Sequence, residues 1–120
     1  MELIAHWLPS VGAALMVFAG LVGLLKPALM IDPIGIVTSS AKGISEVRAI
    51  FGGINLGGGV AALLLHDHSV YIALGAGWLA ATLSRFYSMA VDGTTLRESV
   101  PALVVDGGLA LLFLSTLLQA

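Results

Sequence analysis

The chain has no cysteine and very little charge. Its 120 residues include five Lys or Arg and seven Asp or Glu, so 10% are charged. An average soluble domain has roughly 25% charged residues. The lack of cysteine excludes disulfides, Cys-ligated zinc, iron–sulfur clusters and thiol chemistry. The net charge of −2 provides no basic surface, so no nucleic-acid partner is expected.

What the chain has in abundance is apolar sequence. Hydrophobic residues make up 58% of it, and the mean hydropathy is +1.04. It lacks the polar surface that a globule in water needs, so a membrane is its expected solvent. A spanning helix needs about 20 mostly apolar residues. The sequence therefore predicts one all-α domain over residues 1–120, an integral membrane protein folded as a four-transmembrane-helix bundle. The predicted spans are 7–25, 44–65, 70–91 and 100–118.

The ends of these spans carry local signals. Asp92-Gly93 predicts the end of the third span, because glycine readily takes the left-handed conformation that terminates helices. Thr95 and Glu98 have the spacing of a capping box before the fourth span. Lys26-Pro27 marks a break after the first span.

The basic residues predict the orientation. All of them lie in or beside the 1–2 and 3–4 connections: Lys26, Lys42, Arg48, Arg85 and Arg97. The other side carries only His6, His66 and His68. The protein is expected in the cell (inner) membrane. The positive-inside rule then predicts that both termini lie outside the cytoplasm. Trp7 and Tyr71 fall near the outer interface, where amphipathic rings are favoured.

Four ionisable residues fall within three of the spans, toward the predicted cytoplasmic side: Glu46, Arg48, Arg85 and Asp106. A charge at the bilayer centre costs roughly 2.5 to 3.5 kcal/mol even on a lenient insertion scale. Such groups pair with one another or line a wet cavity. The sequence leaves two interpretations open: ion pairs that only hold the bundle together, or a pocket that binds a ligand or an ion.

Polar residues near these charges have the same two interpretations. Arg48 and Asn55 lie on one face of the second span. Asn55 either extends the polar site inward or makes an interhelical hydrogen bond. The hydroxyl of Ser88 on the third span either joins the site or bonds back to its own helix.

Small residues at helical spacing predict close helix packing. Gly53 and Gly57 form a GxxxG motif in the second span, and Gly77 and Ala81 repeat the spacing in the third. Small residues let lipid-embedded helices approach closely, so these positions are predicted helix contacts.

His66-Asp67-His68 has the composition of a metal-ligand cluster, but its spacing fits a turn rather than one helical face. It has no fourth ligand nearby in sequence. The sequence therefore predicts a polar turn, with no metal and no cofactor.

The segments "EVRAIFGGINLGGG" and "LSRFYSMAVDG" resemble a bacterial family of small four-helix membrane proteins, domain of unknown function 4345. Phe51 stands where the family more often has Tyr, and Asp106 where it has Glu. The resemblance implies a four-helix bundle in a bacterial membrane and assigns no reaction. The family pattern has an Arg and a Ser before an Asp-Gly at the end of helix three, where this chain has Arg85, Ser88, Asp92 and Gly93, and then an acid in helix four.

Three functions compete. The first is a binding or accessory module with a cytoplasm-facing charged pocket for a lipid headgroup or a small amphipathic anion. The second is a small dimeric transporter. A membrane enzyme or redox subunit ranks last, because the chain has no Cys and the spans have no axial histidine pair. General acid–base chemistry by Glu46 or Asp106 is left open. Membrane lipid is the expected partner, and a homo-oligomer or a larger membrane complex is left open.

Overall fold

A computed structural model describes residues 2–36 and 40–119 of the chain. These residues are almost entirely helical, and the described ranges contain no strand. The elements are α1 (Glu2–Leu25), α2 (Pro27–Ile34), α3 (Ala41–Val47), a π-helical segment (Arg48–Ile54), α4 (Asn55–Leu65), α5 (His68–Asp92), α6 (Leu96–Leu114) and a 3₁₀ segment (Ser115–Gln119).

Three stretches of the described helices are long and apolar enough to cross a membrane: His6–Leu25, Ala41–Leu65 and Leu96–Gln119. They correspond to the first, second and fourth predicted spans. α5 has 25 residues, which is sufficient length, but its composition is more polar. The all-helical class is thus confirmed, whereas the four-span bundle remains a prediction.

Large apolar side chains face outward from these helices. Phe18 is 68% exposed, Leu64 77% and Leu111 75%. Contiguous exposed apolar surface marks a membrane or protein interface rather than a surface in water. The exposed side chains thus agree with the hydropathy of the helices.

The fold divides into two compact units. The first unit consists of residues 12–65, and the second of residues 1–11 together with 66–120. In the first unit, the second half of α1 packs antiparallel to the π-helical segment and α4. Gly23 lies against Phe51, and Gly59 lies against Val17.

Glycine determines how closely the helices of the first unit approach. A Cβ atom at Gly52 would lie 2.6 Å from the backbone nitrogen of Leu24, and one at Gly59 would lie 2.7 Å from the carbonyl oxygen of Ala13. Real Cβ atoms do not approach backbone atoms this closely. The two backbones therefore touch where these glycines lie.

The predicted packing glycines are not at these contacts. A Cβ at Gly53 would have only the carbonyl of Arg48, in its own chain segment, within 4 Å, at 3.9 Å. At Gly57 and Gly77, a Cβ would meet no described atom of another segment within 4 Å. The GxxxG prediction is thus wrong for contacts within the described chain. The contact face lies one residue earlier, at Gly52, because helix rotation rather than spacing selects which glycine faces the neighbour.

In the second unit, α5 and α6 form an antiparallel hairpin. The left-handed Gly93, with φ +76°, ends α5, and the Thr95 side chain accepts a hydrogen bond from the Glu98 backbone nitrogen at 3.1 Å. Both predicted boundary signals are confirmed. Farther along, the ring of Tyr71 stacks on that of Phe113, with centroids 6.3 Å apart.

Candidate functional site

The predicted charged region contains one interhelical ion pair, between α5 and α6. The Nε of Arg85 donates to Oδ2 of Asp106 at 2.9 Å. Of the two acids that the sequence offered to Arg85, Asp106 is the partner. The two side chains differ in exposure, since Asp106 is 5% exposed and Arg85 44% exposed. The carboxylate is thus neutralised from one side, while part of the guanidinium remains at the surface.

The guanidinium keeps unused donor capacity. It has five N–H donors in a planar fork, and only Nε–H is bonded to Asp106. No other described residue accepts a hydrogen bond from Arg85. The two Nη groups can therefore bind an oxyanion while Nε stays on the carboxylate.

Ser88 and Asp92 extend the polar face of α5 beyond Arg85. The hydroxyl of Ser88 donates to Oδ2 of Asp92 at 2.6 Å, and this bond is exposed. Residues 85, 88 and 92 follow the spacing of one helical face. Two of the residues implied by the family resemblance thus bond to each other, one turn apart, and lie on the Arg85 side of the helix.

Arg48 and Asn55 lie at the two ends of the π-helical segment in the first unit. The Nη1 of Arg48 donates to the carbonyl oxygen of Leu24. Carbonyls at a helix C-terminus lack partners within the helix, and a cationic side chain there also complements the helix dipole. Arg48 thus caps α1.

Asn55 serves its own helix. Its Nδ2 donates to the carbonyl of Phe51 at 2.9 Å, where the π-helical turn changes to α-helix. The predicted interhelical hydrogen bond of Asn55 is therefore wrong among the described residues. Insertions of π-helix are rare in proteins, and those that occur are frequently found at functional sites. Here the segment begins at Arg48 and includes Gly52, the glycine against α1.

The seven predicted site residues thus form separate local arrangements. Arg85 with Asp106 and Ser88 with Asp92 belong to the second unit, whereas Arg48 and Asn55 belong to the first. Glu46 is exposed on α3, also in the first unit. Among the described residues, the second unit has these two pairings of predicted residues, and the first unit has none.

An apolar groove lies on the α5–α6 hairpin. Its volume is about 490 Å³, and its lining comes from the second unit: Leu79, Leu103, Val104, Gly107, Gly108, Ala110, Leu111 and Leu114. Gly107 directly follows Asp106. A Cβ at Gly108 would meet no described atom within 4 Å, so the groove is open above that residue.

A second cavity contains the histidines. It has a volume of about 210 Å³ and is lined by His6, His66, His68, Tyr71, Thr116 and Gln119. Tyr71 is only 6% exposed, so its ring packs inside the second unit. The described residues include no group of three or more His, Asp or Glu arranged to hold a metal ion.

Sequence reasoning missed this second cavity. His68 and Thr116 are 48 residues apart, and no spacing rule links them. The only available signal was that every histidine in the chain is predicted to lie on one side of the membrane.

Comparison with known proteins gives one match. A family model described as Domain of unknown function (DUF4345) matches residues 4–117, nearly the whole chain. No curated protein and no solved structure matches.

Proposed function

Because this chain belongs to the family described as Domain of unknown function (DUF4345), whose description assigns no reaction, we propose a function from the chain's own side chains. The protein is a membrane-embedded binding or accessory module for an anionic amphipathic molecule, and an anionic phospholipid is its ligand. The observation that carries the proposal is the half-exposed Arg85, fixed by the buried Asp106 on a hairpin that also bears an apolar groove.

Arg85 suits an anionic headgroup because it is already held in place. Its bond to Asp106 fixes the guanidinium, so binding orders little further side-chain freedom. Arginine binds phosphate through two parallel N–H bonds, which here are the Nη groups.

The groove suits an acyl chain. Its lining on α6 extends from Leu103 to Leu114, about 16 Å of helix at 1.5 Å per residue. Gly107 and Gly108 leave room above the helix, while leucine and valine supply the walls. Since the groove lining on α6 includes residues on both sides of Asp106, Val104 and Gly107 among them, a headgroup at Arg85 places the tail along the groove.

We place α5 across the membrane as the fourth span. Its 25 residues measure about 37 Å, more than the roughly 30 Å hydrocarbon core. A hydropathy sum treats each polar side chain as if it entered the membrane without a hydrogen-bond partner. In α5, however, the hydroxyls of Thr82 and Ser84 donate to carbonyls of their own helix at 2.9 and 2.8 Å. Arg85 is paired as well. The α5–α6 turn and the basic residues then face the cytoplasm, with both termini outside.

Cysteine labelling tests this topology. Single cysteines would replace Ser69, in the first turn of α5, and Thr94, just after its end, both of which are exposed. We expect an impermeant thiol reagent to label Ser69→Cys in intact cells and Thr94→Cys only after lysis. The chain has no native cysteine, so all labelling of the protein comes from the introduced residue. Equal labelling of the two would show that α5 does not cross, and the reverse pattern would show that the orientation is inverted.

Lipid retention tests the ligand. Native mass spectrometry in micelles would compare phosphatidylglycerol with phosphatidylethanolamine of the same acyl chains. We expect the parent to retain the anionic lipid preferentially. Arg85→Gln should reduce the ratio of the two lipids about tenfold, the equivalent of one lost charged hydrogen bond. The ratio is informative even if the variant is less stable.

Gly108→Leu tests the tail, because the added side chain fills the open groove. It should reduce retention of both lipids, whereas Gly57→Leu, at an open position outside the groove, should not. Soluble glycerol 3-phosphate tests whether the headgroup alone suffices. If Gly108→Leu leaves lipid retention unchanged and dissociates a dimer, the groove holds a second copy and the proposal is wrong.

A further inference from the structure

All three histidines of the chain line one cavity of about 210 Å³, in the second unit. Tyr71, Thr116 and Gln119 complete its lining. A water molecule occupies about 30 Å³ in the liquid, so the cavity has room for roughly seven. The proposed lipid site does not use this cavity, which therefore needs its own explanation.

Two of the imidazoles are anchored in the same way. The Nδ1 of His66 lies 3.0 Å from the Tyr71 hydroxyl, and the Nδ1 of His68 lies 2.7 Å from Oγ1 of Thr116. Both hydroxyls belong to buried residues and have no other bond among the described residues. A hydroxyl that donates to Nδ1 leaves the imidazole proton on Nε2, and this tautomer pairs a buried hydroxyl proton that would otherwise lack an acceptor. In this tautomer the cavity has two Nε2–H donors, to which no described residue bonds.

The charge around the cavity favours a negative ligand. No carboxylate of the described residues lines it, although Asp67 is adjacent in sequence. The Asp67 side chain instead accepts a hydrogen bond from the Ser69 backbone nitrogen at 2.7 Å. His68 begins α5, a 25-residue helix whose N-terminal dipole favours anions.

The backbone at His66 adds an independent observation. Its φ is +46°, in the left-handed region that residues with a Cβ rarely occupy. Glycine would fit the turn between α4 and α5 without strain. Strained residues of this kind are concentrated at ligand sites.

We infer that this cavity is a binding site for a small oxyanion, such as phosphate or a short carboxylate. The Nε2–H groups of His66 and His68 are the donors to its oxygen atoms. His6 and Gln119 complete the lining, and both are exposed, so the site is open to the surroundings. By the proposed topology this site faces the outside of the cell, but the inference itself depends only on the cavity.

Histidine-selective ¹⁵N NMR tests this inference, because every imidazole in the chain reports on the cavity. The full chain in micelles would be titrated with sodium phosphate and sodium acetate, with sodium chloride as the ionic-strength control. We expect saturable shifts of the Nε2 signals of His66 and His68 with phosphate or acetate, and not with chloride. His68→Ala should weaken the affinity about tenfold, as expected for one lost hydrogen bond.

His66→Gly is the variant that protects the fold, because glycine accepts the positive φ. It should weaken oxyanion binding, and its thermal midpoint should fall by no more than the loss of the hydrogen bond to Tyr71 costs. A purely structural role for His66 would instead lower the midpoint and leave the oxyanion affinity unchanged. Ser84→Ala is the control, since it removes a hydroxyl from the same helix about 24 Å away.

Three results would overturn the inference. The first is no histidine shift with either oxyanion. The second is a shift produced by Zn²⁺ and not by phosphate or acetate, which would identify a metal site. The third is an oxyanion affinity that is the same in the parent, His66→Gly and His68→Ala, which would place the binding elsewhere on the protein.

Discussion

Gly52→Ala is expected to lower the stability of the protein sharply. The new Cβ would lie 2.6 Å from the backbone nitrogen and 2.8 Å from the Cα of Leu24. Backbone atoms cannot move aside as a flexible side chain does, so α1 and the π-helical segment must separate. Overpacking of this kind costs about 1 to 3 kcal/mol, and sometimes more. SDS titration followed by circular dichroism would measure the loss.

Gly53→Ala is the matched control, one residue along the same segment. Its Cβ would have only the carbonyl of Arg48 within 4 Å, at 3.9 Å. Glycine inside a helix is less favourable than alanine by roughly 0.5 to 1 kcal/mol, so Gly53→Ala should be neutral or slightly stabilising. If the two variants unfold alike, or Gly53→Ala is the worse, the packing face described above is wrong.

Arg85→Ala should be the other strongly destabilising change. It leaves the Asp106 carboxylate, only 5% exposed, without its charge partner. Removing one member of a buried pair costs about 3 to 5 kcal/mol, and the lower end applies here because Arg85 is half exposed. Asp106→Ala should cost less, because the guanidinium left behind can reach water or headgroups. The same unfolding titration would compare them.

The double substitution separates pairing from other effects of Arg85. Arg85→Ala with Asp106→Ala should be more stable than Arg85→Ala alone, since no buried charge remains. Arg97→Ala, an exposed arginine at the start of α6, should change stability little. Additive losses in the double variant would mean that the 2.9 Å bond contributes no coupling, and the pair would then not account for the cost.

Features with a local cause could be predicted from the sequence. The cap at Thr95 and the end of α5 at Gly93 each involve residues within one helical turn. Their spacing in the sequence was therefore sufficient to predict them. The three apolar spans followed from composition alone, because the transfer of side chains into a membrane is summed along the chain. α5 is not among these three spans, because its composition is more polar.

The rotation of each helix could not be predicted in the same way. Gly52 and Gly53 are equally small and adjacent, and nothing in the sequence indicates which of them faces the neighbouring helix. Only the packed helices distinguish the glycine that touches Leu24 from the one that does not. Likewise, the sequence predicts Arg48 in the charged site, whereas in the structure Arg48 donates to the carbonyl of Leu24 at the C-terminal end of α1.

By itself, the sequence determined the helical class, the apolar spans, the family and the charged residues from which Arg85 and Asp106 were singled out. The tertiary structure alone decided which partner each side chain has, as with His68 and Thr116, 48 residues apart. The physical reason is the range of the forces involved. Hydropathy and capping act within one segment, whereas a hydrogen bond between segments depends on helix rotation and register, which the packing of the whole hairpin fixes.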